Sequence, residues 1–163
     1  MDARRESKPA KHPVERKSDR ELVIRRTFDA PARLVFEAWT RPELFRKWWV
    51  PKSLGMTIRE IEMDVRVGGK YRINFGDGMD FYGQYVEVKP HTRLAWTNEE
   101  GGEPGPVTTV TLEETGGKTL LVVSELYPSK EALDKAGTGA WDAIGETFGQ
   151  LDEVLLTQGV AAG

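Results

Sequence analysis

Apolar and polar positions follow two different periods along this chain, and the change of period marks out its elements. From Glu21 to Phe28 they alternate. Leu22, Ile24 and Phe28 share one face while Val23 and Arg25 take the other, as in a strand with one side toward a core. Asp29-Ala30-Pro31 supplies a helix start, with Asp29 as N-cap and Pro31 where its missing N–H costs little. Leu34, Val35, Ala38 and Trp39 then recur at helical spacing. Thr40-Arg41-Pro42 interrupts them, and Pro42 opens a second short helix through Leu44 and Phe45 toward Trp48-Trp49.

Residues 56–126 return to alternation. The apolar segments 56–63, 70–75, 79–88, 93–98, 107–114 and 118–125 are separated by Val67-Gly68-Gly69, Gly76-Asp77-Gly78, Pro90-His91 and a Gly/Pro-rich loop at 101–106, a spacing that predicts an antiparallel sheet. Gly116-Gly117 fixes one register, because a two-residue glycine loop suits a primed turn and sets Thr115 opposite Lys118. Leu112 then faces Leu121 and Val110 faces Val123 on the inner side, while Thr111–Val122 and Thr109–Ser124 lie outside. Across 139–157, Trp141, Ile144, Phe148, Leu151, Val154 and Leu155 recur every three or four residues and predict a long amphipathic helix, with Asp142, Glu146 and Glu153 toward water.

Composition narrows the chemistry. With 163 residues, 39% of them hydrophobic, the chain fits one domain that needs no covalent staple. The absence of Cys removes thiol, disulfide, iron-sulfur and Cys-zinc chemistry and fits a cytoplasmic protein, while two histidines exclude a three-histidine metal site within one chain. No metal or other cofactor is expected. The net charge of −3 gives no footprint for nucleic acid, and no apolar run approaches a membrane span. Residues 1–20 carry seven bases and four acids, so this stretch is +3 and the rest of the chain −6. We expect residues 1–20 to be a disordered basic tail, 21–158 the folded domain and 159–163 a flexible end.

Catalytic patterns are missing one by one. Gly76-Asp77-Gly78 lacks the third glycine and the following helix of a dinucleotide loop, Ser53 and Ser124 lack a nucleophile elbow, and His91 follows a proline in a loop. Asp64 and Arg66 read as a structural ion pair. What stands out is the ring supply. Of five Trp, six Phe and four Tyr, we expect Trp49, Tyr71, Phe75, Phe81, Tyr85, Trp96, Trp141 and Phe148 to face inward. Such rings suit a pocket for a flat apolar molecule, and they would equally fill a plain core.

Four motifs carry a resemblance: Phe28-Asp29-Ala30-Pro31, Val35-Phe36-Glu37-Ala38-Trp39-Thr40, Trp48-Trp49-Val50-Pro51, and residues 63–71 from Met63 through Gly68-Gly69 to Tyr71. Over residues 21–157 the chain resembles the AHSA-type branch of the START-like (SRPBCC) superfamily, with Val50 where relatives commonly have glycine. The resemblance implies an α+β helix-grip fold: a bent seven-stranded antiparallel sheet around a long C-terminal helix, with two short helices after the first strand. It also implies a cavity between sheet and helix. Adding Ile73, Val110, Val123 and Ile144 to the eight rings completes the expected ligand-binding set. The leading expectation is a non-enzymatic domain that binds a hydrophobic or aromatic, lipid- or polyketide-like molecule. The scaffold also hosts activators of a heat-shock chaperone ATPase, with a chaperone as partner and a link to stress response, and polyketide cyclase or dehydratase enzymes. In the enzymatic alternative Tyr71, Tyr85 and Glu125 would reach the pocket, although Glu125 is expected to point outward at a strand end.

Overall fold

The structure, a computed structural model, describes residues 14–76, 80–102, 104–137 and 143–162, with side chains as far as Gln158. Its strands are β1 (Val14–Arg16), β2 (Glu21–Phe28), β3 (Glu60–Met63), β4 (Lys70–Asn74), β5 (Asp80–Lys89), β6 (Arg93–Thr97), β7 (Val107–Thr115) and β8 (Lys118–Leu126). The helices are α1 (Ala32–Thr40), α2 (Pro42–Trp48), α3 (Lys130–Ala136) and α4 (Ile144–Ala162), with a 3-10 turn at Lys52–Leu54. All the strands join one antiparallel sheet in the order β1-β2-β8-β7-β6-β5-β4-β3.

The sheet therefore has eight strands rather than the seven that the resemblance implies. The additional strand comes from the stretch expected to be solvated. Val14 pairs with Ile24 and packs at the edge of the core, so one aliphatic residue gives three residues enough apolar contact to join the ladder. Helix α3 is likewise absent from the sequence reading; Ser129 caps it, its hydroxyl accepting from Ala132 N at 3.0 Å, and Leu133 is buried beneath it. Asp29 does not cap α1. Pro31 takes the cap position in extended geometry, and no side-chain bond closes that end. The final helix begins at Ile144 and continues through Ala162, beyond the expected end at 157.

The register explains where the core sits. Opposite partners run Leu22–Glu125–Thr108–Trp96–Tyr85 across five strands, and two residues along they run Ile24–Val123–Val110–Leu94–Val88. The second row is wholly aliphatic. It forms the floor on which α4 lies, Phe148 meeting Phe28 edge-on at 5.3 Å. Between the two rows β5 carries a bulge at Tyr85/Glu87, which bends the strand; its first half pairs with β4 and its second half with β6. The β3–β4 edge is thereby carried away from the main plane. A space opens between the first row and the helices α1 and α2.

Candidate functional site

That space is a cleft walled on the sheet side by Met63, Tyr71, Ile73, Phe81, Tyr85, Trp96 and Asn98, and on the helix side by Trp39, Phe45 and Trp49. The open space between the walls is about 40 Å³, enough for roughly three waters, so they stand close together. The rings brace one another. Trp39 lies 5.9 Å from Trp96 and 6.0 Å from Trp49, Phe45 stacks on Trp49 at 4.8 Å, and Tyr71 lies 5.8 Å from Tyr85.

Polar groups gather where Tyr71 and Asn98 meet. Tyr71 Oη donates to Thr97 O at 2.8 Å, reaching across β5 beside its own partner Gly83. Gly83 is required there, because a Cβ would stand 2.0 Å from the Thr97 carbonyl oxygen. Asn98 Nδ2 donates to Pro106 O at 3.0 Å and to Thr108 Oγ1 at 2.9 Å, and Thr108 in turn donates to Glu125 Oε2 at 3.4 Å. The carbonyl of Pro106 can only accept, which fixes the amide orientation and leaves Asn98 Oδ1 as an acceptor beside Tyr71. Burial raises the Tyr71 phenol well above its ordinary value, reinforced by Glu100, Tyr85, Glu99 and Glu125; burial chiefly, then Asp64, raises Tyr85. Both phenols are neutral at physiological pH.

A strap after α2 holds the Trp49 wall in place. Gln150 of α4, buried, donates to Trp48 O at 3.0 Å and Val50 O at 2.9 Å and accepts from Lys52 N at 2.9 Å. Glu146, one turn earlier, accepts from Ser53 N at 2.9 Å and Ser53 Oγ at 2.7 Å. Polar residues on α4 thus pin this segment.

Six residues expected to bind ligand line this cleft: Trp49, Tyr71, Ile73, Phe81, Tyr85 and Trp96. Phe75 stands behind Phe81, edge-on at 5.4 Å. Val110, Val123, Ile144 and Phe148 are buried in the floor and under α4, outside the cleft lining. Trp141 lies outside the described residues. Glu125, expected to point outward, is instead buried on the inner face, as its register with Thr108 requires. Trp39, Phe45, Met63 and Asn98 line the cleft without having been singled out in the sequence. The alternation that turns Trp96 inward also turns Asn98 inward, and the pairing of Met63 with Tyr71 would have placed Met63. Among the described residues no cluster of His, Asp and Glu could hold a metal ion, and no helix is long and apolar enough to cross a membrane.

Comparison with known proteins agrees with this architecture. The family model described as Activator of Hsp90 ATPase homolog 1-like protein matches residues 29–155. A crystal structure from Rhodobacter sphaeroides superimposes with a TM-score of 0.76 at 23% identity, covering 88% of this chain and 97% of that one. One from Nitrosomonas europaea gives 0.77 at 23% identity, covering 89% and 99%. CalU16 from Micromonospora echinospora is 27% identical over 78% of this chain and 71% of its own, with a TM-score of 0.59. No protein of curated function matches the sequence.

Proposed function

The chain belongs to the Activator of Hsp90 ATPase homolog 1-like family, and from that premise we propose that it is a small-molecule binding protein whose aromatic cleft takes a flat or elongated apolar ligand. One observation carries this reading: rings from two helices and three strands converge on a single concave site that they do not fill. A core made only for stability would close such a gap, since unmet ring surface forfeits dispersion contacts. Narrow walls built of aromatic planes favour a ligand that is itself planar or thin, such as a polyketide-like ring or an alkyl chain. Neutral phenols and a neutral amide orient it without the cost of a desolvated charge.

Titration with the neutral fluorophore N-phenyl-1-naphthylamine tests the proposal. Saturable quenching of tryptophan emission is expected, and replacing half-buried Trp49 at the cleft wall by Ala should weaken binding about tenfold. A linear, non-saturating response would refute it.

A second reading has one observation in its favour. Glu125 is buried and accepts from Thr108, which accepts from the Asn98 amide in the cleft wall, so its carboxyl group sets the orientation of the amide oxygen that would receive a hydrogen bond from the enol of a reacting ketone. If Glu125→Gln abolishes turnover of a bound ketone while probe affinity is retained, the protein is an enzyme; if no substrate is turned over, Glu125 is part of the wall's polar support.

A further inference from the structure

We propose that the group recognised inside this cleft is an ammonium head on an apolar body, so that amines are selected and fatty acids and phosphate-bearing lipids are turned away. The inference deepens the binding reading above and rests on it. Among the described residues that line the cleft there is no Lys, Arg or His, so nothing offers a carboxylate or phosphate a charged partner. The neutral donors on the walls, the buried and unpaired Trp39 indole N–H among them, supply no charge.

What the polar end does offer is acceptors. The Tyr71 proton is directed at Thr97 O at 2.8 Å, with a longer approach of 3.4 Å to Asn98 Oδ1, and both Asn98 amide protons at Pro106 O and Thr108 Oγ1, so what remains toward the cleft is lone pairs on Asn98 Oδ1 and on the phenol. Carboxylates stand on the outer face behind this wall, where alternation turns Thr97 and Gln84, and Glu100 and Glu99 both act on the Tyr71 phenol. Glu99 is fixed by Thr97 Oγ1 at 2.6 Å and Gln84 Nε2 at 3.3 Å, and Glu100 by Tyr82 N at 3.2 Å, next to Phe81 of the lining. Asp64, paired with Arg66 at 2.9 Å, adds to the same field beside Tyr85. Aromatic walls complete the match, because ring faces carry the negative lobe of the quadrupole and attract a cation more strongly once it is partly desolvated. An anion meets the same field with the opposite sign.

Three ligands with one body separate charge from hydrophobic fit: 4-phenylbutylamine, 4-phenylbutan-1-ol and 4-phenylbutanoate, titrated against the whole chain by tryptophan fluorescence at low and high salt. The amine should bind about tenfold tighter than the alcohol and lose most of that margin at high salt, with the carboxylate weakest. The double substitution Glu99→Gln with Glu100→Gln should weaken the amine roughly threefold or more and leave the alcohol unchanged. An alcohol that binds as tightly as the amine, or a carboxylate that binds best, overturns the ammonium inference and leaves the apolar cleft standing. If none of the three saturates, the binding reading falls with it.

Discussion

Gln150 shows how one side chain can serve the site without lining it. Its amide ties three backbone groups of the strap to α4, so Gln150→Leu leaves two carbonyls and one N–H without those partners. A cost of about 2–4 kcal/mol is expected in urea denaturation, with weaker ligand binding because Trp49 loses its anchor. The neighbouring Glu146 adds a pH-dependent hold. Hydrogen bonds from Ser53 keep its carboxyl below the usual value of 4.5, so its contribution is complete above that value and is lost as pH falls through the lower folded one. The urea midpoints of wild type and Glu146→Ala should therefore differ at pH 7 and converge as the solution is made acidic enough to protonate the folded carboxyl group. A gap that persists in acid would show that the carboxylate charge plays no part.

Among the elements, the β7–β8 hairpin was the most legible. Gly116 and Gly117 adopt φ of 61° and 81°, and Thr115–Lys118, Val110–Val123 and Thr108–Glu125 are partners, as the glycine pair dictates. Gly116→Ala should destabilise the protein by about 1–2 kcal/mol without touching the cleft. The helical stripe was legible too, but the roles along it were not, because an apolar period reports burial and is silent on what lies opposite. Phe148 is buried against Phe28 and Trp48, 6.5 Å away, so its part is packing rather than the cavity wall expected of it. Phe148→Ala should cost about 3–5 kcal/mol in thermal or urea unfolding and leave ligand affinity unchanged. The β5 bulge was hidden for a different reason. A single displaced residue leaves the alternation on either side intact, and that bulge is what separates the β3–β4 edge from the main sheet and opens the cleft.

For the molecule as a whole, rings supplied by segments far apart in sequence meet because the sheet bends and the strap holds. Five of the expected residues, Tyr71, Ile73, Phe81, Tyr85 and Trp96, were legible as cleft lining through strand alternation, and Glu125 could have been placed inward by the same register. The helix-side wall of Trp39 and Phe45 depends on how α1 and α2 dock on the sheet, which no local pattern encodes. The binding reading puts the ligand in this cleft and not in the rest of the apolar interior. Methyl-resolved NMR during titration with N-phenyl-1-naphthylamine tests it most directly, since the ring current of a bound aromatic shifts only the methyl groups it overlies. The Met63 and Ile73 methyl signals should move saturably while Val123 and Leu151, buried in the floor and under α4, stay in place. Shifts centred on Val123 and Leu151, or on the exposed Leu156, with Met63 and Ile73 silent, would contradict the account.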